Sequence, residues 1–219
     1  MKNTNDPSSL VNRLVADLTP VKRPLPAIPA ALAWTLASSL VALPLVSLFN
    51  FRADLTEKFK SPFDFFVATL LLGGAGSLGF FAFRSGIPGR DSVSWARRVV
   101  WGIVGALVLA LSFAIARESP GSAVEIGLDL RGARCSALVG LFAVLPAAAL
   151  LIALKTRYAT VRPRYAGKML GGAAGFLGAL FISLHCPVDE GLHILVWHVG
   201  PVLLIAWIFS AIAMRFLRF

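Results

Sequence analysis

The sequence predicts an all-α membrane protein: a six-span transmembrane helix bundle carrying a short cytoplasmic N-terminal amphipathic helix. Three observations predict it. Hydrophobic residues make up 57% of the 219-residue chain, and the mean hydropathy is +0.77, well above soluble globular composition. Apolar runs recur along the chain, each near the roughly 20 residues that cross a hydrocarbon core about 30 Å thick. The basic residues behind the net charge of +10 collect in alternate loops rather than in one run. That is a topology signal and not the electrostatic footprint of a nucleic-acid binder, so no direct nucleic-acid partner is expected.

Residues 1–26 are polar and form a segment of their own, too long before the first apolar run for a removable signal peptide. Asp6 or Ser8 can cap a short helix, with Pro7 tolerated in its first turn. Leu10, Val11, Leu14, Val15 and Leu18 then recur at helical spacing as one apolar stripe, with Asp17 beside it. Pro20 stops this helix, and Pro24, Pro26 and Pro29 predict a stiff, extended link to the membrane. A helix of about 12 residues is marginal alone in water, so the stripe must lie on a partner groove or a lipid surface.

Residues 27–219 form the transmembrane domain. Its predicted spans are residues 27–49, with Pro44 as a kink, then 62–83, 99–116, 136–154 with Pro146, 167–185, and 192–214 with Pro201. The second span contains Gly74-Ala75-Gly76-Ser77-Leu78-Gly79, a literal G-x-G-x-x-G. No strand precedes it and no suitably spaced acid follows, so small residues for close helix approach explain it better than a nucleotide. In the fifth span Gly167, Gly171 and Gly175 recur at four-residue steps, and this bare face is expected to pack most closely, against span four.

The charges orient the bundle. With the N-terminus inside, the outer loops carry only Arg52, Lys58, Lys60, Arg117, Arg131 and Arg134 of the 21 basic residues, and most of the 11 acids. The remaining lysines and arginines lie inside, which places both termini in the cytoplasm.

The same topology puts the only two cysteines, Cys135 and Cys186, at one outer edge, at the start of span four and the end of span five. Two cysteines are no disulfide framework. Three readings stay open: a disulfide, if the Cα atoms lie within about 7 Å; a reversible thiol pair that senses oxidants or soft metals; or two unrelated small residues. His185, His193 and His198 lie near this edge as supporting groups. His193 and His198 are five residues apart, about 140° around an α-helix, so no preformed metal site and no cofactor are expected. No catalytic signature is present: there is no H-E-x-x-H, no G-x-S-x-G, and no carboxylate pair inside a span. The chain is not expected to be an enzyme. Asp64 reads as a helix-end charge.

Cys135, Pro146, a basic loop with Pro163, a glycine-rich span, His185-Cys186-Pro187 and Trp197-His198 together resemble the NrsF family of membrane anti-sigma factors. So does the start, Leu14-Val15-Ala16-Asp17-Leu18-Thr19-Pro20-Val21. The middle of the chain matches loosely, through Arg52-Ala53-Asp54-Leu55 and Pro62. The resemblance implies six spans, as counted above. It implies that the protein holds an extracytoplasmic-function sigma factor at the bacterial inner membrane, away from RNA polymerase. It also implies that Cys135 and Cys186 help sense a stress such as heavy metal or oxidant. On this reading Leu10, Val11, Leu14, Val15, Asp17 and Leu18 meet the sigma factor. The rivals are a small transporter or metal-efflux component, which needs polar residues at the midplane, and a structural membrane subunit.

Overall fold

A computed structural model describes residues 11–12, 15–16, 24–87, 89, 93–118, 129–130 and 132–217. Among them there are helices and no strands. Six helices among the described residues are long and apolar enough to cross a membrane. They are α1 Ala27–Leu48, α3 Pro62–Ser85, α4 Val93–Arg117, α5 Gly132–Arg157, α6 Pro163–Ile182 and α7 Gly191–Phe216. A short helix, α2 Leu55–Lys60, lies in the loop between α1 and α3. The protein is a multi-pass helical bundle.

Most helices run past their apolar cores. The backbone must be hydrogen-bonded internally in lipid, and extra turns at each end carry that bonding into the headgroup region. Basic residues there, such as Arg97 and Arg98 in α4 or Lys155 and Arg157 in α5, can snorkel. Pro29 lies inside the first turn of α1 rather than in an extended link. The first helical N–H groups have no partner to lose, so proline costs little there.

The centre of the bundle is α6. Its apolar window is 78% buried, against 11% for α4. Small residues make this possible: with no side chain to displace, neighbouring backbones approach closely. The sequence expectation for its glycine face needs correcting. Gly167, Gly171 and Gly175 face α7, not α5: a Cβ on Gly171 would fall 2.7 Å from the Ile205 carbonyl oxygen, and one on Gly175 would fall 2.9 Å from the Val202 side chain. It is Gly178, seven residues past Gly171 and so nearly in line with it around the helix, that meets α5 at the Val139 carbonyl. Four-residue steps drift slowly around an α-helix, so the row marks one stripe. Which neighbour fills that stripe depends on tertiary arrangement, which spacing does not encode.

The other helices assemble around α6 with sparse polar fastenings. Trp34 Nε1 of α1 donates to the Pro146 carbonyl of α5 at 2.9 Å. Tyr158, just past α5, donates to the Leu25 carbonyl at 3.0 Å. That second bond lies at the end of the bundle from which the N-terminal residues enter α1. The two cysteines lie at the opposite end.

Candidate functional site

The end of the bundle bearing the cysteines is built from four chain segments, the last of them the first turn of α5. The first is the turn after α1. Asn50 adopts φ 65°, a left-handed conformation that asparagine tolerates better than most residues. This turns the chain so that the Asn50 carbonyl accepts from His185 Nδ1 at 2.8 Å. Two residues on, the Arg52 N–H donates to the Leu184 carbonyl at 3.0 Å.

The second segment is the loop after α6. The Cys186 N–H still donates to the Ile182 carbonyl at 2.8 Å, so Cys186 sits one turn past the helix with its side chain directed inward; it is buried. Arg52 holds this loop. Its Nη1 donates to the Cys186 carbonyl at 2.9 Å and to Asp189, while Nε and Nη2 grip Asp54 at 2.7 Å. Lys58 bonds Asp64 at 2.8 Å and also pairs with Asp189. Asp64 is thus a helix-end charge, its own N–H meeting the Ser61 hydroxyl that caps α3. Burial pushes the Asp189 carboxyl up, but the bonds from Arg52 and Lys58 outweigh it and leave it below the ordinary value. Asp54 is held at about 2 by Arg52, and Arg52 is raised by Asp54 and Asp189.

The third segment is the start of α7. The Gly191 N–H donates to Glu118 Oε1, just past the end of α4, at 2.6 Å, a carboxylate cap suited to the positive end of a helix. After one α-helical turn, residues Ile194–Val199 widen into a π-helical turn. Bonding from i to i+5 brings residues five apart onto one face. His193 and His198 are therefore neighbours, with ring centroids 5.3 Å apart and nearly perpendicular. The α-helical spacing argument, which separates them by about 140°, does not hold here.

Cys135 enters from the first turn of α5. Its Sγ lies 3.6 Å from Cys186 Sγ, and Cys186 Sγ lies 3.5 Å from His193 Nε2. Both thiols are free. Contact with Cys135, then burial, raises the Cys186 thiol above its ordinary value, with His193 and His198 pulling the other way. Cys135, Cys186, His193 and His198 each offer a ligand atom, and all four atoms lie within 4.8 Å of one another.

Of the sequence-selected residues, the structure brings together Cys135, Cys186, His193 and His198. It leaves His185 outside that group, as a strap to Asn50 with its ring edge-on to Phe49. Val11 and Val15 are helical and exposed; Leu10, Leu14, Asp17 and Leu18 lie outside the described residues. Arg52 and Asp189 were missed as site residues. The signal for them was available in part, since Arg52 and Asp189 are opposite charges in two outer loops of a chain whose spans hold almost none.

A family model described as NrsF, negative regulator of sigma F, matches residues 14–219. No curated protein and no solved structure matches the chain.

Proposed function

The chain therefore belongs to the NrsF family of negative regulators of sigma F, and on that premise we propose a stress-released membrane anchor for an extracytoplasmic-function sigma factor. The family makes it an anti-sigma regulator with a sigma-factor partner. The finer reading is ours. Residues 1–26 hold the sigma factor on the cytoplasmic side of a bacterial inner membrane, through the stripe Leu10, Val11, Leu14, Val15 and Leu18 with Asp17 beside it. Cys135 and Cys186 face the periplasm and respond to metal or oxidant.

The observation that carries this reading is the 3.6 Å approach of the two sulfurs. Two thiols at that distance, one on α5 and one in the loop after α6, can be joined or bridged with little movement, and either event changes how α5 meets that loop. That loop is tied to α1 through Arg52, Leu184 and Asn50. From its other end, α1 leads directly to the sigma-binding segment. A displacement at Cys186 thus has a bonded route to the first span.

The test is copurification from membranes. Wild-type protein brings down its sigma factor, Leu14→Asp loses it, and oxidant or cadmium releases it from wild type but not from Cys135→Ser/Cys186→Ser. Sigma retained by Leu14→Asp would refute the docking segment, and unchanged release from the double variant would refute the thiol input.

A further inference from the structure

We propose that Cys135, Cys186, His193 and His198 form one tetrahedral binding site for a borderline-soft divalent cation of the zinc and cadmium class. As a signal input, the site rests on the anti-sigma reading above; as a binding site, it stands on its own geometry.

Four features carry it. First, the spacing fits. Zinc bonds of about 2.3 Å to sulfur and 2.0–2.1 Å to nitrogen give tetrahedral edges of about 3.8 Å between sulfurs and about 3.5 Å from sulfur to nitrogen; the Cys135–Cys186 and Cys186–His193 edges are 3.6 and 3.5 Å, and all four ligand atoms lie within 4.8 Å of one another. Second, two soft sulfurs with two imidazoles are the donor set that tetrahedral zinc-class ions prefer. Third, His198 has unmet bonding capacity. The residue is 2% exposed, yet its Nε2 has no hydrogen-bond partner, a costly condition for a buried polar atom that a bound ion would relieve. Fourth, there is room beside the ligands: a cavity of about 20 Å³, space for roughly one water, touches Cys186 and His198, with Lys58, Asp64, Ser183 and Asp189 also on its wall.

Charge explains why this site can be buried. The incoming ion displaces one proton from each thiol, both protons leave to solvent, and the histidines coordinate as neutral rings. Nothing is oxidised or reduced. The dication and two thiolates sum to zero, so no net charge is left in a low-dielectric setting. The π-helical turn is the local device: ordinary α-helical pitch would take His198 away from the ion.

The experiment uses full-length, reduced protein in detergent, titrated with cobalt(II) as the spectroscopic probe and then displaced by zinc or cadmium. The expected result is one ion per chain with Kd below about 1 µM. It shows tetrahedral d–d bands, thiolate charge transfer, and release of two protons. His193→Gln and His198→Gln each weaken binding at least about tenfold. In case those variants fold poorly, X-ray absorption on zinc-loaded wild type reads the shell directly, with two sulfurs and two imidazoles expected. Three results would overturn the site: an octahedral cobalt spectrum, a shell without imidazole scattering, or binding that relies on sulfur alone and ignores both histidines. Sigma copurification is followed in the same samples. An ion bound by all four groups that leaves sigma in place sinks the signalling arm alone; sigma released by oxidant from a protein that binds no ion sinks the metal site alone.

Discussion

Arg52 donates to the backbone carbonyl of Cys186 at 2.9 Å, from 134 residues away in the chain. The bond places a buried guanidinium directly behind one thiol, where it fixes the loop rather than the sulfur. Arg52→Gln removes the fork to Asp54 and Asp189 together with this bond. Because both carboxylates are partly exposed, water recovers some of the loss. The expected cost is about 1–3 kcal/mol, in the range for hydrogen bonds to charged groups, read as a lower unfolding temperature in detergent. Arg52→Lys, with one point charge instead of a fork, should recover only part of it.

Stability should fall with acidity through the same cluster. Asp54 is held at about 2 and Asp189 is also lowered, so the folded state binds these protons less readily than the unfolded chain. Their contribution is complete above the unfolded carboxylate value of about 3.9 and is lost as pH drops through the folded values. The gap in unfolding temperature between wild type and Arg52→Gln should therefore shrink as pH goes from about 6 to about 3. A gap that stays constant would show that the carboxylates do not supply the effect.

Disulfide formation should be fast and intramolecular. Diamide oxidises the two thiols to one S–S bond and is itself reduced to the hydrazine. Thiol-reactive polyethylene glycol should then go from two adducts per chain to none, and a reductant should restore both. Prior loading with cadmium should slow the oxidation, since the ion and the oxidant compete for the same sulfurs.

Close packing around α6 makes a sharp contrast between glycines. Gly178→Ala drives a methyl into the Val139 carbonyl and should destabilise by about 1–3 kcal/mol, the usual range for overpacking. Gly105→Ala in α4 meets nothing within 4 Å and should be neutral or stabilising by up to about 1 kcal/mol. Gly132→Ala is the informative third case: its methyl would strike the Trp197 ring, next to His198. It should lower metal affinity more than it lowers stability.

The bundle was legible in the sequence because burial in lipid leaves long apolar runs, and the thiol pair was legible because topology alone carries Cys135 and Cys186 to one edge. Three things were not. His193 and His198 look mispaired at α-helical pitch, and the local change of pitch has no composition signature in Ile194–Val199. Arg52 looks like an ordinary loop residue, because its partners Cys186 and Asp189 are joined to it only by the folding of α1 against α6. Gly167, Gly171 and Gly175 declared a tight contact without declaring its partner.

One wide turn of α7 has a further consequence. If Ile194–Val199 were to wind down to ordinary pitch, the His198 ring would swing about 140° from the His193 ring, and everything after it would rotate like a screw beyond a loosened nut. Grip on both imidazoles and a uniform helix are thus mutually exclusive geometries. Whatever clasps the two rings must also set the angle at which the last seventeen-residue stretch, Gly200–Phe216, leans on the glycine stripe.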